Sequence, residues 1–272
     1  MDGSTNKIAL LVDADNTSAK IIGEIISEAG RHGKVTIRRA YGDFTTEHLK
    51  NWKDELNVYA IRPMQKFSYS TGKNSTDSAL IIDAMDIMHS KLVSGFCIAS
   101  SDSDYTGLAL RLREEGLFVL GIGRFVTPGA FQKACEIFVF TENLTQQKTV
   151  EEKIIEKEVE KSQEEKVEGS KPIKLKGLTI VGKIDLGKVV SKIDKKPLDT
   201  TIIDKAVKMA IEENGLAYLG TIGEKLRTLD PSFDSRTYGF GSMTTLFKSM
   251  QDKYELVYKN NGSSLFIKPR YF

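Results

Sequence analysis

Residues 7–16 read KIALLVDADN. Ile8 to Val12 form an unbroken apolar run, the pattern of a strand buried on both faces of a sheet. The run breaks on Asp13 and Asp15. Carboxylates at the C-terminal end of a central strand stand where open α/β sheets place their ligands. A carboxylate beside an apolar strand is costly to bury unless a cation compensates, so a bound metal ion is the first functional candidate at Asp13. The plainer reading, which suits Asp15 better, is that Asp15 or Asn16 caps a helix over 17–29.

Outward from this stretch, residues 7–140 alternate apolar runs with helical patterns. The runs predict strands over 7–12, 34–40, 57–62, 95–100, 117–122 and 136–140. Helices are expected over 17–29, 45–55, 75–90, 104–115 and 128–134, the last opened by Pro128. Alternation at this spacing means an α/β domain, a central parallel sheet with helices on both faces. Right-handed crossovers then bring the C-terminal strand ends to one rim.

A second apolar run, GFCIA at 95–99, also ends in acids, within Ser100-Ser101-Asp102-Ser103-Asp104. One such ending is an ordinary helix start with Asp in its first turn; two at the same rim suggest a site. A fifth acid, Asp77, shares a helical face with Leu80, Ile81, Ala84 and Met88. Asp77 therefore lies on an apolar stripe and needs a partner, whether the helix's own first amides or a metal shared with Asp13 and Asp102. Asp83 and Asp86 project elsewhere and read as solvated or capping residues.

His32, His48 and His89 are scattered, the two cysteines are Cys97 and Cys135, and Cys97 reads as core, so zinc on nitrogen and sulfur ligands is not expected. All-oxygen ligands favour Mg2+ or Mn2+. Such clusters serve phosphoryl chemistry, in which the ion neutralises phosphate oxygens and activates water. Gly121-Ile122-Gly123 lacks the third glycine of a dinucleotide fingerprint and is weak.

Net charge is +2 over 272 residues, but it is uneven: −2 over 1–145, −2 over 146–172 and +6 over 173–272. The basic last third, not the acidic first half, suits a polyanion. Residues 146–172 are dense in Glu and Lys without an aromatic residue and read as a charged linker. Residues 173–198 give no clear reading. From 199, helices over 200–215, Gly220–Leu229 and Ser242–Met250 precede strands Glu255–Tyr258 and Ser264–Ile267, joined by Asn260-Asn261-Gly262, a hairpin signal. This is a winged helix-turn-helix. The domain boundaries expected are 1–145, 146–198 and 199–272.

The motifs LVDADN, GKNSTDSALIIDAMD, FCIASSDSDYTGLALRLREEG and TPGAFQKACEIFVF resemble the NYN domain of the LabA-like group, over roughly residues 5–142. The segment GLAYLGTIGEKLRTLDPSFDSRTYGFGSMTTLFKSM, with YELVY after it, resembles an OST-HTH or LOTUS domain. The first resemblance implies a PIN-like nuclease fold and an acidic metal site for RNA cleavage: Asp13 as strand-end acid with Asn16 in support, Asp77 as helix acid, and Asp102 and Asp104 as the SDSD acids. The second implies RNA binding, with a helicase or other protein partner as an alternative.

Other readings stay open. Asp13-Ala14-Asp15-Asn16-Thr17 fits the DxDxT pattern of haloacid-dehalogenase-type phosphatases, with Asp13 as nucleophile and Asp15 as acid/base, although no cap-like insertion follows. A binding-only protein with an idle acidic site is another. Basic candidates for RNA contact are Lys66, Lys73 and Arg124 in the head and Lys225, Arg227, Arg236 and Lys248 in the helix-turn-helix. In the hairpin, Lys253, Lys259, Lys268 and Arg270 interleave with Tyr254, Tyr258, Phe266 and Tyr271; Tyr258 and Phe266 also suit the core. The linker is expected to raise local RNA concentration at the head without fixing its geometry. No apolar run reaches membrane-spanning length and no signal-peptide pattern opens the chain, so a cytoplasmic protein acting on single-stranded or structured RNA, alone or as a homodimer, is the expectation.

Overall fold

The computed structural model describes residues 6–67, 75–145, 197–259 and 264–270. In the first half, six parallel strands stand in the order β3-β2-β1-β4-β5-β6. They are β1 (Lys7–Asp13), β2 (Lys34–Gly42), β3 (Arg62–Gln65), β4 (Gly95–Ala99), β5 (Phe118–Gly123) and β6 (Ile137–Phe140). Chain order reverses between β1 and β4, which pair directly from Ile8 opposite Gly95 to Val12 opposite Ala99. That reversal opens a crevice at the carboxyl ends of these two strands.

The even residues of β1 face one helical layer, built from α1 (Ile22–Gly30) and α2 (Trp52–Val58). The odd residues face the other, built from α3 (Ser75–Ser90), α4 (Thr106–Glu114) and α5 (Gly129–Ala134). Burial on both faces explains the continuous apolar runs of β1 and β4. Gly121 and Gly123 in β5 have a packing reason. A Cβ on Gly121 would lie 2.5 Å from the Phe138 ring, and one on Gly123 2.5 Å from the Ser100 carbonyl oxygen. Close approach of neighbours therefore accounts for the Gly-Ile-Gly spacing without a dinucleotide.

The structure corrects three local expectations. The strand expected at 57–62 is displaced: residues 57 and 58 complete α2, and β3 starts at Arg62, after Ala60 turns the chain at a φ of 49°. Neither Asp15 nor Asn16 caps α1, because a 3-10 turn, Ala19–Ile21, intervenes. Asp83 is not a solvated acid. It accepts hydrogen bonds from the Arg39 guanidinium and the Tyr41 hydroxyl, tying α3 to β2. Periodicity placed Asp83 off the apolar stripe, but its neighbours across the sheet were invisible to that pattern.

In the second half, α7 (Thr200–Ala210), α8 (Leu219–Leu229) and α9 (Met243–Lys248) pack on a three-stranded antiparallel sheet. Its strands are β7 (Ala217–Tyr218), β8 (Tyr254–Lys259) and β9 (Ser264–Pro269), with β9 central. Ile203, Val207, Ile222, Leu226, Phe247 and Ile267 are fully buried in this core. Asp199 caps α7 through the Thr201 amide. The expected hairpin turn at 260–262, the charged linker at 146–172 and residues 173–196 lie outside the described residues.

The tail does not float beside the head. Helical residues 141–145 form α6 after β6. β6 is a sheet edge, and edge amides need partners. The Phe138 amide donates to the Pro231 carbonyl at 2.9 Å. Just beyond, the buried Asn143 side chain donates to Thr237 Oγ1 at 2.9 Å. Arg236 grips Asp234 with paired contacts of 2.8 and 2.5 Å and lies 3.7 Å from Glu28 of α1. These bonds fix a geometry that linker composition alone left free.

Candidate metal and RNA site

Asp13 is the last residue of β1 and is wholly buried. Its carboxylate is not bare. Oδ2 accepts from Ser100 Oγ at 2.7 Å and from Asn16 Nδ2 at 2.8 Å. The chain between them is stitched to the neighbouring strand by Thr17 Oγ1, which donates to the Ala99 carbonyl at 3.0 Å. Ser100 Oγ in turn accepts the Asp102 amide at 3.1 Å. One buried carboxylate thereby sets the loop that carries the SDSD acids.

Asp102 then caps the 3-10 turn Ser103–Tyr105, accepting the Asp104 amide at 2.9 Å. This explains why two acids follow β4: Asp102 caps the turn, and Asp104 lies within it. Across the crevice, α3 delivers Asp77 in its first turn. The buried Tyr105 hydroxyl donates to Asp77 Oδ1 at 2.7 Å. One carboxylate oxygen from each of Asp77, Asp102 and Asp104 lies within 4.8 Å of the others.

Asp13 is not in this trio. It lies beneath, bonded to Ser100 and Asn16, with its charge felt by Asp77. Asp13, expected as a direct ligand, stands next to this trio in charge, with Oδ2 accepting from Ser100 and Asn16.

The electrostatics follow the geometry. Burial raises the Asp13 carboxyl above its ordinary range. The Ser100 and Asn16 hydrogen bonds oppose this, and the charges of Asp77 and Asp15 add to it. Burial also raises Asp77, against the Tyr105 hydrogen bond and with the charges of Asp102, Asp104 and Asp15. Carboxylates crowded this way repel one another until a cation joins them. The donor set is all oxygen, which fits a hard divalent ion. Asp15 enters this field although it read as a cap, and Tyr105 carried no sequence signal beyond its place after SDSD.

The basic candidates divide. Arg124 is exposed just past β5, and its amide donates to Ser101 Oγ at 3.0 Å, so it borders the acidic loop. Lys66 is exposed after β3, and Lys73 lies outside the described residues. On the tail, Lys248, Tyr258 and Arg270 line one groove of about 310 Å³. Tyr258 is 53% exposed, so it is not the core residue it resembled, and Phe266 is partly buried beneath Lys259. Lys225 is partly buried on α8. Arg236 is held by Asp234 and lies 3.7 Å from Glu28, at the contact between the two halves. Arg227 faces the head, lining the clefts between the two halves. Tyr271 lies outside the described residues.

A family model for the NYN domain matches residues 7–144, just over half of the chain. The chain belongs to the NYN domain family. A second model, for the OST-HTH/LOTUS domain, matches 186–266, opening earlier than the boundary expected at 199. NYN is a nuclease-type domain, and OST-HTH/LOTUS domains bind RNA. The NYN match does not single out the LabA-like group. NYN and PIN-like nucleases generally use divalent metals.

No curated protein matches the chain. Among solved structures, a protein of unknown function from Vibrio parahaemolyticus is 19% identical, covering 52% of this chain and 95% of its own, at a TM-score of 0.44. An uncharacterized protein from Nitrosomonas europaea is 22% identical, covering 35% of this chain and 94% of its own, at 0.28. Among the described residues no helix is long and apolar enough to cross a membrane.

Proposed function

We propose that the NYN head is a metal-dependent ribonuclease, of the LabA-like kind, to which the OST-HTH tail brings RNA. The observation that carries this is the meeting of Asp77, Asp102 and Asp104 at the crevice between β1 and β4. Residues from two distant segments converge there on oxygens spaced to hold one ion. Mg2+ or Mn2+ bound by these three carboxylates would lower the pKa of a coordinated water and offset phosphate charge.

The chain's own residues do the rest. Asp13 fixes Ser100, and Ser100 fixes the Asp102 amide, so the acidic loop needs little rearrangement on binding. Tyr105 orients Asp77. Arg124 beside the loop supplies a cation for the RNA backbone at an otherwise acidic rim. On the tail, Lys248 and Arg270 flank the exposed Tyr258 ring, a pairing of phosphate contact and base stacking suited to single-stranded RNA.

The deciding experiment is cleavage of labelled single-stranded RNA by the full chain, with and without EDTA. Cleavage that needs Mg2+ or Mn2+ and disappears in Asp77→Asn and Asp102→Asn preparations supports the reading. RNA bound with unchanged affinity but never cut, under any divalent ion, reduces the protein to a binding module.

A further inference from the structure

Two clefts lie between head and tail. One has a volume of about 290 Å³ and the other about 870 Å³, and both are walled by Ile137 of the head and Arg227 of the tail. They are also joined through an aromatic pair. His32, on the wall of the smaller cleft, stacks on Phe118, on the wall of the larger, with ring centroids 5.3 Å apart and planes inclined by 28°. Both rings are partly exposed.

The larger cleft carries Arg113, Lys133 and Arg227. Some of the surrounding charge is already matched. Arg113 lies 4.0 Å from Glu136, and Arg31, on the smaller cleft, is paired to Glu28 at 2.8 Å. Lys133 and Arg227 have no ion-pair partner among the described residues, against two further wall carboxylates, Glu224 and Asp230. Free cations set around a stacked, partly open aromatic pair can hold phosphate and base together. Clefts between domains are common places for ligands, and 870 Å³ is ample for a nucleotide.

We propose that this cleft is a second contact for single-stranded RNA, formed only because the tail is docked. Arg227 and Lys133 take backbone phosphates, and a base stacks against Phe118, whose ring His32 backs from the smaller cleft. The site is separate from the acidic crevice, since none of Asp77, Asp102 and Asp104 lines either cleft. It rests on the proposed function only in naming RNA as the ligand.

The test is fluorescence anisotropy of a labelled single strand of about 12 nucleotides with the full chain, in EDTA so that nothing is cut. Arg227→Glu with Lys133→Glu is expected to weaken binding at least about tenfold and to lower the salt slope by about 1.4, two phosphate contacts' worth. His32→Ala is expected to weaken binding about fivefold with the slope unchanged, because stacking releases no counterions. Lys50→Glu with Lys53→Glu, the same charge change near the opposite sheet edge, should have little effect. Circular dichroism checks that each variant is folded.

Wild-type affinity and slope in the Arg227/Lys133 double variant would overturn the cleft while leaving RNA binding elsewhere intact. Failure of the unaltered chain to bind RNA at all would overturn the proposed function and the cleft together. An equal loss in the Lys50/Lys53 control would also overturn the cleft, by showing only a dependence on net charge.

Discussion

The Tyr105 hydroxyl donates to Asp77 Oδ1 at 2.7 Å, joining the residue after SDSD to the first turn of α3. This bond spans the crevice, so one buried phenol sets the separation of the two walls that carry the acids. Tyr105→Phe keeps the packing and removes only the donor. The protein should stay folded, with a stability loss of about 1 kcal/mol. Affinity for Mn2+ should fall by about tenfold, the usual effect of losing a partner that orients a ligand. Isothermal titration with Mn2+ checks it, and an unchanged affinity would show that Asp77 is held by the helix alone.

Asp77 itself illustrates a conflict between site and stability. Its folded carboxyl is raised, so the folded state binds protons more tightly than the unfolded chain does. Folding stability from this group is therefore lost as pH rises through the window from the unfolded value to the folded one. At neutral pH the ion-free carboxylate is a burden. Asp77→Asn should raise the melting temperature of the metal-free protein at pH 7 by at most a few degrees. Mg2+ is expected to raise the melting temperature of the unaltered chain further, and Asp77→Asn should abolish that rise. Thermal melts with and without Mg2+ measure both.

Much of this arrangement was written in local pattern. Two apolar runs ending in acids told both the sheet and the rim at which acids gather, because burial on two faces leaves little freedom in residue type. Asp77 stood out by sitting on a stripe where a carboxylate does not belong. What local pattern could not carry was contact across the sheet. Asp83 looked solvated because Arg39 and Tyr41, its partners, lie on another element. Arg236 looked like an RNA contact because its charge was visible and its neighbours Asp234 and Glu28 were not assembled around it. Asp13 was visible as special, but only the packed structure shows Ser100 and Asn16 occupying its oxygens.

The Asp83 cluster invites its own test. Arg39 and Asp83 are only 21% and 16% exposed, and Tyr41 is wholly buried. Removing the acid leaves a partly buried guanidinium and a phenol without their acceptor. Asp83→Ala should destabilise the head by about 3 kcal/mol, read as a shift in the urea midpoint with unchanged slope. Because α3 also carries Asp77, the same variant should loosen Mn2+ binding. Asp86→Ala on the same helix should do neither.

The interface between head and tail should respond to acid through His32. Burial lowers its pKa below the ordinary 6.5, and the guanidinium groups of Arg227 and Arg31 lower it further, while Glu28 acts the other way. Asp234 and Arg236 complete the charges on this cleft. The unfolded chain thus binds a proton at His32 more readily than the folded one. The stability contributed by the neutral ring is present above about pH 6.5 and is lost as pH falls toward the folded pKa. The slope through that window is at most about 1.4 kcal/mol per pH unit. Raised carboxyls at Asp13 and Asp77 run in the opposite sense, so the difference between the unaltered chain and His32→Gln isolates the imidazole. Urea denaturation at neutral and mildly acidic pH should show a smaller acid-induced loss in His32→Gln. Equal losses in the two proteins would place the acid sensitivity elsewhere than this interface.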